Sequence, residues 1–97
     1  PWLSLLPQHI ISHLERYGWN VETRSHRETV PILGATDFTN IIGTLDPSAT
    51  RKLVMACHYD SKYFDEGSNF IGATDSAVPC AMLLDLARTM TPFLKQR

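Results

Sequence analysis

The chain reads as an α/β protein in which helices cover a sheet, and three observations carry that reading. Leu3, Leu6, Ile10, Leu14 and Tyr17 recur at helical spacing with Gln8, Ser12, Glu15 and Arg16 between them, the pattern of an amphipathic helix. Leu53 to Cys57 is a short unbroken apolar run, the pattern of a strand buried on both faces beneath helices. Ala77 to Met90 reads as a second helix, with Cys80, Ala81, Leu84 and Ala87 among its apolar residues.

The elements between follow in order. Gly18 comes directly after Tyr17 and can close the first helix. Trp19, Val21 and Thr23 alternate with polar residues, which predicts a half-buried strand. Arg24 to Thr36 is mixed and contains Pro31 and Gly34, so it reads as a loop or a bulged hairpin turn. Phe38 to Leu45 is a second strand, closed by the turn residues Asp46-Pro47-Ser48. His58 to Gly72 is polar and loop-like. Ser76 can cap the second helix, Pro79 is tolerated in its first turn, and Pro92 ends it. The order helix, strand, strand, buried strand, helix is half of an α/β sandwich. Three strands and two helices leave one sheet edge and much of one face uncovered.

Composition narrows the possible functions. The 97 residues make at most one small domain, and an apolar share of 43% is ordinary for a globular chain. Nine basic against ten acidic residues give a net charge of −1 with no basic stripe, which argues against a nucleic-acid partner. No apolar run is long enough to span a membrane, and nothing resembles a signal peptide. The first residue is Pro1 rather than Met, so processing or trimming at the front is expected. There is no internal repeat and no low-complexity tract.

Two stretches carry the chemistry. His58-Tyr59-Asp60-Ser61 lies immediately beyond the apolar run, and Gly72-Ala73-Thr74-Asp75-Ser76 opens the second helix. Ligands of open α/β sheets bind beyond the carboxyl ends of strands, so these stretches are expected to converge. Imidazole nitrogen and carboxylate oxygen both suit zinc. His58 is either a ligand or a loop histidine bonded to backbone. Asp75 is either a ligand or a helix N-cap. Asp60 is a turn residue or a partner that orients His58. Zinc usually takes at least three protein ligands, and this region does not clearly supply three. Lys62, Tyr63 and Phe64 continue the first motif, Lys62 either solvated or bordering a substrate entrance. Trp2 and Trp19 read as packing residues. Cys57 and Cys80 are reduced buried thiols or a disulfide, and their spacing does not decide which.

His-x-Asp-Ser followed by Gly-Ala-x-Asp resembles the zinc aminopeptidases with a co-catalytic metal pair, in which the His and the second Asp are ligands. There the Asp is usually followed by Asn or Asp and then by small, Gly-rich residues. Here the continuation is Ser76-Ala77-Val78-Pro79-Cys80-Ala81. The stretches Ala56-Cys57-His58-Tyr59-Asp60-Ser61-Lys62-Tyr63-Phe64 and Gly72-Ala73-Thr74-Asp75-Ser76-Ala77-Val78-Pro79-Cys80-Ala81-Met82 look like the animal glutaminyl cyclases. Phe38-Thr39-Asn40-Ile41-Ile42-Gly43-Thr44-Leu45 and the first helix match them in order and character. The resemblance covers nearly the whole chain and about the first third to half of that family's catalytic domain.

The resemblance implies an open mixed β-sheet sandwiched by helices, like that of the zinc aminopeptidases. Residues 1–97 would be the N-terminal portion of one catalytic domain, with the remainder on a separate fragment or chain. It implies cyclisation of N-terminal glutamine, or more slowly glutamate, of peptides to pyroglutamate with release of ammonia. It implies one Zn2+ held by an Asp, a Glu and a His, of which only the Asp, matching Asp75, falls in this chain. His58 would be a neighbour of the site, with Asp60 and Lys62 nearby, and no catalytic residue would lie in this chain. Cys57 and Cys80 would form a disulfide beside the site, closing a loop of roughly 22 residues and stabilising by about 3 kcal/mol in the chain-entropy model. A disulfide implies secretion or the Golgi lumen. The expected partners are the C-terminal remainder and peptides with N-terminal Gln, with neither nucleic acid nor membrane contact from this segment. The alternatives are a two-metal zinc aminopeptidase in which His58 ligates the second metal, or an inactive fragment if the chain stands alone.

Overall fold

A computed structural model describes residues 2–60 and 71–96, with the side chains of residues 2–4 left aside. Lys62, Tyr63 and Phe64 lie outside the described residues. The chain divides into two compact units, Pro1–Ala49 and Thr50–Arg97.

The first unit opens with helix α1, Trp2–Arg16, where the periodicity predicts it. Gly18 ends it at φ 86°, a left-handed conformation that glycine adopts without a Cβ penalty. The Trp19 N–H donates to the Leu14 carbonyl at 3.1 Å and the Gly18 N–H to the Glu15 carbonyl at 3.0 Å. This paired closure is a Schellman motif. Strands β1, Asn20–Val30, and β2, Gly34–Thr44, then pair antiparallel, with Asn20 opposite Thr44 and Val30 opposite Gly34. Helix α1 lies against this hairpin. A Cβ on Gly43 would stand 3.0 Å from Leu14 Cδ1, so the absence of a side chain there lets the helix approach.

Of the two readings of Arg24 to Thr36, a loop or a bulged hairpin turn, the fold is a hairpin, with a shorter turn than expected. The strands run through most of this segment, and the turn is confined to residues 31–33. Polar cross-strand pairs hold this extension. Arg27 Nε donates to Asp37 Oδ1 at 2.8 Å and its Nη2 to Oδ2 at 3.2 Å. The Ser25 and Thr39 hydroxyls hydrogen-bond at 2.8 Å, and His26 stacks on Phe38 with ring centroids 5.5 Å apart. In the turn, the Leu33 N–H donates to the Pro31 carbonyl at 2.8 Å, with Ile32 between them at φ 71°.

The second unit corrects a further expectation. Leu53 to Cys57 is not a strand: Leu53 is 90% exposed and Val54 81%. A strand exists only where a neighbour meets its N–H and C=O groups. The described residues of this unit include no strand to pair with it. Hydrophobicity reports what a segment gains on burial, and it does not supply the partner.

Helix α2 spans Val78–Leu94, against the expected 77–90, with Pro92 inside it. A proline removes one N–H, but the turn after it can still close. Here the Lys95 N–H donates to the Thr91 carbonyl at 3.0 Å. The Thr91 hydroxyl donates to the Ala87 carbonyl, and these two residues are the buried ones of α2. The described sheet has two strands, so the expected α/β architecture is present in part: helices with an antiparallel hairpin. No described helix is long and apolar enough to cross a membrane.

Candidate functional site

Cys57 and Cys80 form a disulfide with a Cα–Cα distance of 5.6 Å. It ties the end of the apolar segment to the first turn of α2. A wide helical turn, Ala73–Ala77, precedes α2 and carries Asp75 and Ser76, joined by a cis peptide bond. Ser76 is buried, and its hydroxyl donates to the His58 carbonyl at 2.6 Å while accepting from the His58 N–H at 3.1 Å. One side chain thus meets both backbone groups of His58. This corrects the reading of Ser76 as a helix cap. The residue at the N-cap is Ala77, which makes no side-chain cap, and the Ser76 hydroxyl is committed to His58.

The two sequence motifs do converge. His58 Nε2 lies 2.8 Å from Asp75 Oδ1. His58 Nδ1 lies 2.8 Å from the Asp60 carbonyl and 3.2 Å from Asp60 Oδ1. Both ring nitrogens face acceptors, so the doubly protonated ring donates at both ends. Asp75 raises the His58 pKa above its ordinary value, first through this hydrogen bond. The Asp60 carbonyl raises it further, desolvation opposes the two, and the charges of Asp75 and Asp60 each add less than desolvation removes. Burial also holds the Tyr59 hydroxyl above its ordinary range, with the Asp60 charge adding to it.

The Asp75 side chain is 83% exposed, and the described contact engages only its Oδ1. Such a carboxylate, oriented through one oxygen and open at the other, suits one position of a metal shell. Among the described residues no group of three or more His, Cys, Asp and Glu side chains could hold a metal ion. Among the described residues, the region presents one candidate ligand, Asp75, and the histidine bonded to it. Asp60 contacts His58 through its backbone carbonyl as well as its carboxylate. Sequence reasoning missed the Ser76 clamp. Its signal was a hydroxyl next to the carboxylate, which a cap would show equally.

The description of peptidase family M28 matches residues 40–96, which include both motifs and the disulfide. The chain belongs to peptidase family M28. Within the family it is similar to glutaminyl-peptide cyclotransferases. One from Drosophila melanogaster is 51% identical over 92 residues, covering 95% of this chain and 26% of the relative. One from Gloydius blomhoffii is 53% identical over 97 residues, covering 92% of this chain and 26% of the relative. A crystal structure of Macrostomum lignano glutaminyl cyclase superposes with a TM-score of 0.83 at 42% identity, over 92% of this chain and 26% of that one. The chain thus spans about a quarter of the length of these relatives.

Proposed function

We propose that this chain supplies the N-terminal portion of the catalytic domain of a zinc-dependent glutaminyl-peptide cyclotransferase. It would act on peptides with N-terminal Gln, or Glu, to form pyroglutamate, with release of ammonia in the Gln case. The observation that carries this reading is the 51–53% identity to glutaminyl-peptide cyclotransferases over more than nine-tenths of the chain.

In this reading Asp75 is one ligand of a single zinc, and a Glu and a His from the rest of the longer protein complete the shell. Bound zinc would polarise the substrate γ-amide carbonyl as a Lewis acid. This chain's residues position that ligand. With its proton on Nε2, His58 donates to one oxygen of Asp75 and restrains rotation of the carboxylate. Ser76 and the Cys57–Cys80 disulfide hold the backbone of His58 against the turn that carries Asp75. The attacking α-amine belongs to the substrate itself, so proximity lowers the barrier without a protein nucleophile. The carboxylate that moves the proton is assigned to the remainder of the domain. The disulfide supports an oxidising compartment, secreted or the Golgi lumen.

The family description as a peptidase keeps one second reading, a two-metal aminopeptidase with His58 on the second metal. Two ligands of one metal would stand about as close as His58 Nε2 and Asp75 Oδ1 do, so metal stoichiometry separates the two readings. A coupled ammonia assay on a Gln-initiated dipeptide, with metal analysis of the full-length protein, tests the proposal. Ammonia release, one zinc per molecule, inhibition by imidazole and loss of both zinc and activity in Asp75→Asn are expected. Two zincs with hydrolysis of an aminoacyl anilide would overturn the cyclase reading.

A further inference from the structure

Helix α1 carries His9, Ser12, His13 and Arg16 at positions i, i+3, i+4 and i+7, the spacing of one helix face. These four residues line a shallow groove of about 170 Å³. The His9 and His13 rings stand one turn apart, with centroids 6.3 Å apart and planes inclined by 43°. Tyr17 braces His13 with ring centroids 5.1 Å apart. The Arg16 guanidinium sits over the Tyr17 ring, 5.7 Å from its centroid, and the face of that ring stabilises its charge. His9 is exposed and His13 half-buried.

From this geometry we infer that His9 and His13 form a two-imidazole chelate for a borderline divalent transition-metal ion. Two histidines at i and i+4 on one helix face are a spacing that holds zinc in helical metal sites. A neutral imidazole keeps a lone pair on one nitrogen while the other donates its N–H. Each ring can therefore bind a cation and retain a protein partner. Two ligands make an open site, with water completing the shell, rather than a closed structural zinc site. Open nitrogen sites follow the general order of divalent affinities, so Cu2+ binds most tightly, above Ni2+ and Zn2+. Once one imidazole has bound, the second binds the same ion intramolecularly, which is the source of the affinity.

The test uses full-length protein with its own metal site already loaded with zinc. Calorimetric titration with Cu2+ and Ni2+ compares the wild type with His9→Gln, His13→Gln, the double variant, and His26→Gln as a control in the same unit. Glutamine is a good helix former, so α1 is expected to persist. Tighter Cu2+ than Ni2+ binding is expected, weakened by roughly tenfold or more in each single variant and unchanged in His26→Gln. Equal Cu2+ affinity in the wild type and the double variant overturns the inference. If a variant loses its fold, the wild-type Cu2+ paramagnetic resonance spectrum decides. Coupling to two imidazole nitrogens supports the chelate, and coupling to fewer overturns it.

Discussion

At the scale of single residues, the motif leaves His58 as a metal ligand or a loop histidine bonded to backbone. In the fold its Nδ1 meets the Asp60 carbonyl and its Nε2 meets the Asp75 carboxylate. The sequence shows a ring with two nitrogens, and only the fold shows that they face different partners. Ser76 has the same ambiguity in one atom. A hydroxyl beside a helix start reads as a cap, yet here it bonds to both the N–H and the C=O of His58. Ser76→Ala removes both bonds and leaves two backbone groups unmet in a part-buried position. Leaving such groups without partners costs about 1–3 kcal/mol. Chemical denaturation of the full-length protein should show a loss of that order. A variant as stable as wild type would mean that water replaces the hydroxyl at no cost.

At the scale of elements, the two helices were legible because one face of each is apolar at a 3.6-residue period. The outer half of the hairpin was not, because its pairs are polar on exposed faces and no alternation marks them. Arg27 and Asp37 could be read as a pair only once the register placed them opposite each other. The hydrogen bond from Arg27, and then its charge, lower the Asp37 pKa. A lowered carboxylate pKa contributes stability that is fully present above the unfolded value of about 4. That contribution is lost as pH falls through the lower folded value. Asp37→Asn should therefore cost the hairpin a little near neutral pH, and the difference from wild type should vanish in acid. Both side chains are exposed, so the effect is small. A difference that grows in acid would reverse the sign and refute the pairing. The turn offers a stronger prediction. Ile32 is 87% exposed and sits at φ 71°, where a β-branched residue is strained. The left-handed conformation costs roughly 1–2 kcal/mol, and glycine returns about 0.5–1 of that through its unfolded-state freedom. Ile32→Gly is expected to stabilise by about 0.5–1 kcal/mol, read from the denaturation midpoint, and destabilisation would refute the strain.

At the scale of the whole molecule, the feature that sequence reading got furthest wrong is also the most informative. Leu53–Cys57 reads as buried because it is continuously apolar, and that reading requires a sheet with helices on both sides. Ala87 is the only buried hydrophobic residue among the described ones. Along α2, Val78, Met82, Leu86 and Met90 recur every four residues and all are exposed, with Phe93 beyond them. Exposed apolar surface costs about 25 cal/mol per Å² relative to burial, and monomers rarely carry contiguous patches beyond a few hundred Å². The disulfide restrains this unit. The isolated 97-residue chain should therefore bind a hydrophobic dye, self-associate in sedimentation, and fail to hold zinc tightly with Asp75 as its one oriented ligand. If the proposed reading holds, the dye signal should fall and stoichiometric zinc should appear together in the full-length protein, because the rest of that protein would bury the stripe and complete the shell. An isolated chain that stays monomeric, excludes the dye and retains zinc through dialysis would show that residues 1–97 make a self-sufficient domain, and the reading of Asp75 as one part of a shared site would fall with it.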